Sequence, residues 1–156
     1  MNGIDLLRHH LATMAFRAQH AISDAPANYP EFEAGQGVLK PVEILNHINL
    51  MLVATRQYIL RDEPNYPKDV PWWQAIECFH SALADLDEVL VENETADDVL
   101  VRRFYQGPWS DAMTHIGQLI MLRRLAGSPV KRLNYMKSDV RAGHLGPDQT
   151  LDYTLE

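Results

Sequence analysis

Four stretches of this chain repeat their apolar residues at the 3.6-residue period of an α-helix, and proline or glycine lies at or near at least one end of each. That punctuation constrains the fold more than any other feature. The first stretch covers about residues 3–23, with Leu7, Leu11, Met14, Ala18 and Ile22 in repeating steps. Residues 24–39 hold two prolines and two glycines and read as a loop, long enough to cross the bundle or cover one end. The second stretch opens at Pro41, where the missing N–H of proline has no helical partner to lose. It carries Ile44, His47, Ile48, Met51, Leu52 and Ile59, and Pro64 and Pro67 stop it near Asp62.

The third stretch begins at Pro71 or Trp72 and continues through Phe79, Leu83, Leu86 and Leu90. Residues 93–106 read as a short ordered connection. The fourth stretch starts near Trp109 or Ser110 and ends at Gly127-Ser128-Pro129. Nothing outside the tail alternates as a strand would. The expected class is therefore all-α: a four-helix bundle over about residues 3–127 with an extended tail over about residues 128–156, forming one domain over residues 1–156.

Composition narrows the function. The formal charge of −7 argues against a nucleic-acid surface, and Arg123 and Arg124 are too few to make a basic stripe. Cys78 is the single cysteine, so neither an internal disulfide nor a cysteine-rich zinc site is available. The N-terminal residues lack a signal-peptide pattern, and no apolar run is long enough to span a bilayer. The expectation is a cytoplasmic protein with neither a membrane nor a nucleic-acid partner.

The chemistry lies in the inward-facing polar residues. With His47 as zero and 100° per residue, Tyr58 falls at about 20°, Met51 at about 40° and Ile44 at about 60°. With His115 as zero, Leu119 falls at about 40°, Ala126 at about 20° and Asp111 at about 320°. Taken singly, each residue has an ordinary explanation. A core histidine bonds a carbonyl or a water, and an Asp–His pair four apart is common on a helix surface. Taken together, two imidazoles and one carboxylate facing a shared space form a ligand set for Zn²⁺, Fe²⁺, Ni²⁺ or Mn²⁺.

Glu43, one turn before His47, is a candidate fourth ligand or hydrogen-bond partner. Tyr58 is a candidate for lining the pocket or orienting a substrate. His10, at the edge of its helix's apolar arc near Arg17, is a candidate pocket residue. His9, His20, His80 and His144 read as structural or surface groups. Trp72, Trp73 and Trp109 read as plugs at helix starts.

The residues Asp111-Ala-Met-Thr-His115-Ile-Gly-Gln118, continuing to Gly127-Ser-Pro129, resemble the last bundle helix of the DinB-like superfamily. His47 in Glu43-Ile-Leu-Asn-His47-Ile resembles the first metal ligand of that family. The resemblance implies an up-down-down-up bundle, a homodimer and a three-ligand metal site of His47, Asp111 and His115. Gln118 joins Glu43, Tyr58 and His10 as a supporting residue. Asp111 stands where the family pattern has a histidine. The resemblance further implies a metal-dependent transferase that uses a low-molecular-weight thiol on small-molecule electrophiles. A metal-dependent hydrolase and a non-catalytic, stress-related binding protein with a degenerate site are the alternatives.

Overall fold

The computed structural model describes residues 2–63, 65, 68–93 and 97–152. Its helices are α1 (Gly3–Ile22), α2 (Pro41–Leu60), α3 (Trp72–Glu92), the short α4 (Asp98–Phe104) and α5 (Ser110–Leu125). A π turn, Tyr105–Trp109, joins α4 to α5. The described residues contain no β-strand, so the all-α expectation holds.

Local chemistry sets most of the helix ends. At the start of α1, Asp5 N–H donates to Asn2 Oδ1 at 2.8 Å, and Asn2 N–H donates to Asp5 Oδ2 at 3.0 Å. This reciprocal pair satisfies two N–H groups that the first turn leaves without helical partners. The end of α2 was expected from Pro64 and Pro67, which lie outside the described residues. Within them, Arg61 turns into the left-handed region at φ 58°, and Asp62 N–H reaches back to Gln57 O at 3.0 Å. α5 closes in the same way. Gly127 sits at φ 81°, its N–H donates to Arg124 O, and Ser128 N–H donates to Arg123 O.

The connection expected over residues 93–106 is more regular than its sequence suggests. Asp97 caps α4 by accepting from Val99 N–H at 3.1 Å. The helical coil then continues through Gly107-Pro108 instead of breaking. Pro108 has no N–H to offer, and Gly107 leaves helical dihedrals at ψ −107°. Ser110 compensates: its hydroxyl and its N–H both reach Tyr105 O.

The four long helices form a ring in which α2 packs on α3 and α5, and α1 packs on α3 and α5. Leu7, Leu11, Met14, Ile44, Leu45, Ile48, Leu52, Phe79, Leu83, Leu86 and Ile116 fill the centre. Each such side chain stabilises the fold by roughly 1.5–3 kcal/mol relative to exposure, which is why the sequence period is so legible. The loop after α1 buries Tyr29 completely, and its hydroxyl donates to Leu119 O at 2.7 Å. Its ring meets Trp72 edge-on at 5.5 Å. Of the three expected tryptophan plugs, Trp109 is fully buried and Trp72 partly so, whereas Trp73 points outward with 62% of its surface exposed.

Beyond α5, Leu133 and Leu145 return to buried positions. Leu145 O is 2.8 Å from His80 Nδ1, and Arg17 stacks on the Tyr135 ring at 3.7 Å. Two polar residues of α1 find partners outside their own helix. His20, read from sequence as a structural or surface group, is buried at 7% exposure, with the backbone of Lys131 as a hydrogen-bond partner. Arg8 forms a two-pronged ion pair with Asp87 on α3 at 2.8 and 3.0 Å.

Candidate metal centre

The packing of α2 on α5 brings His47 opposite the first two turns of α5. One ligand atom from each of His47, Asp111 and His115 lies within 4.8 Å of the other two. Asp111 Oδ2 is 3.5 Å from His47 Nε2 and 3.6 Å from His115 Nε2. The two imidazoles meet edge to face, with ring centroids 4.7 Å apart. The group could hold a metal ion.

Two details of the donor set favour a cation. The Asp111–imidazole distances exceed those of ordinary N–H···O hydrogen bonds, about 2.7–3.2 Å, so the three groups converge without bonding one another. A tetrahedral ion with arms of about 2.0–2.1 Å sets its ligand atoms about 3.3 Å apart, close to both separations. The second detail is the tautomer of His115. Its Nδ1 lies 2.7 Å from Gln118 Oε1, an acceptor, so Nδ1 carries a proton, and in the neutral ring Nε2 offers its lone pair toward Asp111. A carboxylate and a lone pair facing each other repel unless a cation or a proton lies between them. The Gln118 contact fixes which nitrogen of the neutral His115 ring is free.

The centre lies at the surface. The Asp111 side chain is 52% exposed, that of His47 38% and that of His115 16%. Four cavities elsewhere in the molecule are lined by other side chains.

The remaining candidates have other places. Glu43 is not in the cluster. Its Oε2 accepts from the backbone N–H of Lys40 at 2.7 Å, which closes the N-terminus of α2. A carboxylate there is held by the first-turn N–H groups and the helix dipole, and this outcompetes a turn toward His47. Tyr58 shares the helical line of His47 but lies eleven residues further on, about 16 Å at 1.5 Å per residue. It is mostly exposed, meets Phe104 edge-on and lines a different cavity. His10 stacks on Trp109 at 5.8 Å and meets Tyr105 at 5.3 Å, so it supports the π turn that leads into Asp111. Burial lowers its pKa from the ordinary histidine value, with Arg17 and His9 adding to the effect.

Sequence reading missed Arg123. It is only 4% exposed, and it donates to Ala21 O and Ser23 O at 2.9 Å and to Ser128 O and Ser128 Oγ at 3.0 Å. A signal was present: relative to His115 it falls at about 80°, on the inward side of α5, whereas Arg124 falls at about 180°.

Compared with family models, with curated proteins and with solved structures, the chain gives no significant match.

Proposed function

We propose that this chain is a divalent-metal protein in which His47, Asp111 and His115 hold one ion, with Zn²⁺, Fe²⁺, Ni²⁺ and Mn²⁺ as the candidates. The observation that carries this reading is the convergence of three donors that do not hydrogen-bond one another, backed by the Gln118 contact that frees His115 Nε2. The donor set suits those ions. Two neutral nitrogens and one carboxylate leave coordination positions for small molecules.

The proposed activity is transfer of a low-molecular-weight thiol to a small electrophile, as the DinB-like resemblance implies. A bound ion supplies Lewis acidity, which lowers the pKa of a thiol or a water that reaches it. The protein's own residues do the rest. His47 and His115 present nitrogens from two helices, so the site forms only when α2 and α5 pack. Asp111 brings negative charge to the set and, being half exposed, faces the solvent from which a thiol arrives. Gln118 keeps the His115 proton on Nδ1, away from the reacting side. The same open face also admits water, so hydrolysis is the second reaction that this arrangement favours.

The test is elemental mass spectrometry on untagged protein purified without chelator, beside His47→Ala, Asp111→Ala and His115→Ala. The expected result is near-stoichiometric metal in the parent chain and its loss in all three variants. Thiol consumption is then measured with a panel of small electrophiles. Failure to bind Zn²⁺, Ni²⁺, Mn²⁺ or anaerobic Fe²⁺ would sink the reading and leave a non-catalytic bundle. Metal without thiol or hydrolytic turnover would keep the centre and discard the activity.

A further inference from the structure

A second site lies away from the metal centre. A cavity of about 760 Å³ opens between the C-terminal ends of α2 and α3 and the short helix α4. Its volume falls within the usual range for small-molecule pockets, about 300–1,000 Å³. Leu90, Leu100, Phe104 and the ring of Tyr58 give it an apolar wall, and Arg61 and Arg103 line it as well.

The two arginines at this cavity are exposed to solvent. Neither the Arg61 nor the Arg103 guanidinium has a hydrogen-bond or ion-pair partner among the described residues. Arg61 also occupies the left-handed position after α2, at φ 58°, where glycine is the usual occupant. Its side chain therefore stands where the backbone alone would favour having none. Gln57 lines the same cavity at 8% exposure. Its Nε2 donates to Asn65 O at 3.3 Å, while its buried Oε1 has no donor. Buried polar atoms are normally bonded, so a water completes this one, since a carboxylate head has no donor to offer it. Of the two carboxylates that line the cavity among the described residues, Asp97 is committed to capping α4, which leaves Asp62 beside the two guanidiniums.

We propose that this cavity binds a small molecule with an apolar body and a carboxylate head. The body lies against Leu90, Leu100, Phe104 and Tyr58, and the head lies between Arg61 and Arg103. Guanidinium recognises carboxylate through paired N–H donors, and the apolar wall supplies the burial that makes such a contact selective.

The experiment is a titration of the full chain, stripped of metal, with octanoate, followed by calorimetry and by amide chemical shifts. A carboxylate can also coordinate a metal ion, so the His115→Ala variant is titrated in parallel. Saturable one-site binding is expected, with shifts around residues 57–62 and 97–104 and no change in His115→Ala. Arg61→Gln and Arg103→Gln should each weaken octanoate about tenfold, and Leu100→Trp should abolish binding by filling the cavity. Octan-1-ol and octylammonium should bind at least tenfold more weakly. Equal binding of octan-1-ol, or indifference to both arginine variants, overturns the proposal. So does the absence of saturation, or binding that disappears only in His115→Ala. None of these results bears on whether His47, Asp111 and His115 hold a metal, which the elemental measurement decides separately.

Discussion

The two ends of α5 treat inward polar side chains in opposite ways. Near its C-terminus, Arg123 is almost fully buried, and its guanidinium is used up by carbonyls at the end of α1 and after α5. The cation sits at the C-termini of two helices, where their dipoles are negative, so it needs no carboxylate partner. Near the N-terminus, Asp111 and His115 face His47 on α2, partly exposed, with ligand atoms left unbonded to one another. One end is saturated and holds the fold. The other is unsaturated and available for a ligand. The two ends differ both in burial and in whether the protein itself completes the bonding of the polar groups.

Four measurements test that contrast. The largest effect should come from Arg123→Ala, which strips hydrogen bonds from the buried carbonyl of Ala21 and the half-buried one of Ser23. A loss of about 3–5 kcal/mol in urea unfolding is expected, because charge-assisted bonds and their unsatisfied remainders both count. A loss under about 1 kcal/mol would erase the distinction. Gln118→Ala should act at the other end without harming the fold. Metal affinity is expected to fall about 10–100-fold, with metal-free stability within about 1 kcal/mol of the parent. An unchanged affinity would remove Gln118 from the site.

Gly117 lies between the two ends, and a Cβ there meets nothing within 4 Å. Gly117→Ala should raise stability by about 0.5–1 kcal/mol through helix propensity alone, with metal stoichiometry unchanged. A fall in stability would mean that α5 needs backbone freedom beside the centre.

The most graded effect is the response to acid. His10 and His20 have lowered pKa values, both chiefly because burial disfavours the charged ring. The unfolded chain then binds protons that the native chain refuses. Stability from these groups is present above the ordinary value of 6.5 and is lost as pH falls from there through the lowered native values. Chemical denaturation of metal-free protein from pH 7.5 downward should show the decline, and His10→Gln with His20→Gln should flatten it. An equally steep decline in the double variant would place the acid response elsewhere.

Much of this molecule is legible in its sequence. The period of Leu7, Leu11, Ile44, Ile48, Leu83 and Leu86 locates the four long helices, because burying a continuous stripe is the largest favourable term available to them. The phase angles of His47, Asp111 and His115 also place all three inward. Other features resist such reading for identifiable reasons. Gly107-Pro108 reads as a break, yet the coil passes through it as a π turn because Ser110 bonds the Tyr105 carbonyl left without its usual partner. Glu43 and Tyr58 share a helical line with His47, but a line on a helix fixes direction and not distance. Glu43 is drawn to a cap, and Tyr58 lies turns away beside another cavity.

The sequence by itself therefore determined the helices, their inward faces and the residue types that can bind a cation, since these follow from local periodicity and side-chain chemistry. Only the tertiary structure decided which helices are neighbours, and hence that His47 meets Asp111 and His115. It alone decided that Arg123 is satisfied by carbonyls from α1, and that Arg61 and Arg103 share one cavity. Those outcomes depend on contacts between residues far apart in the chain, and no local period encodes the distance between two helices.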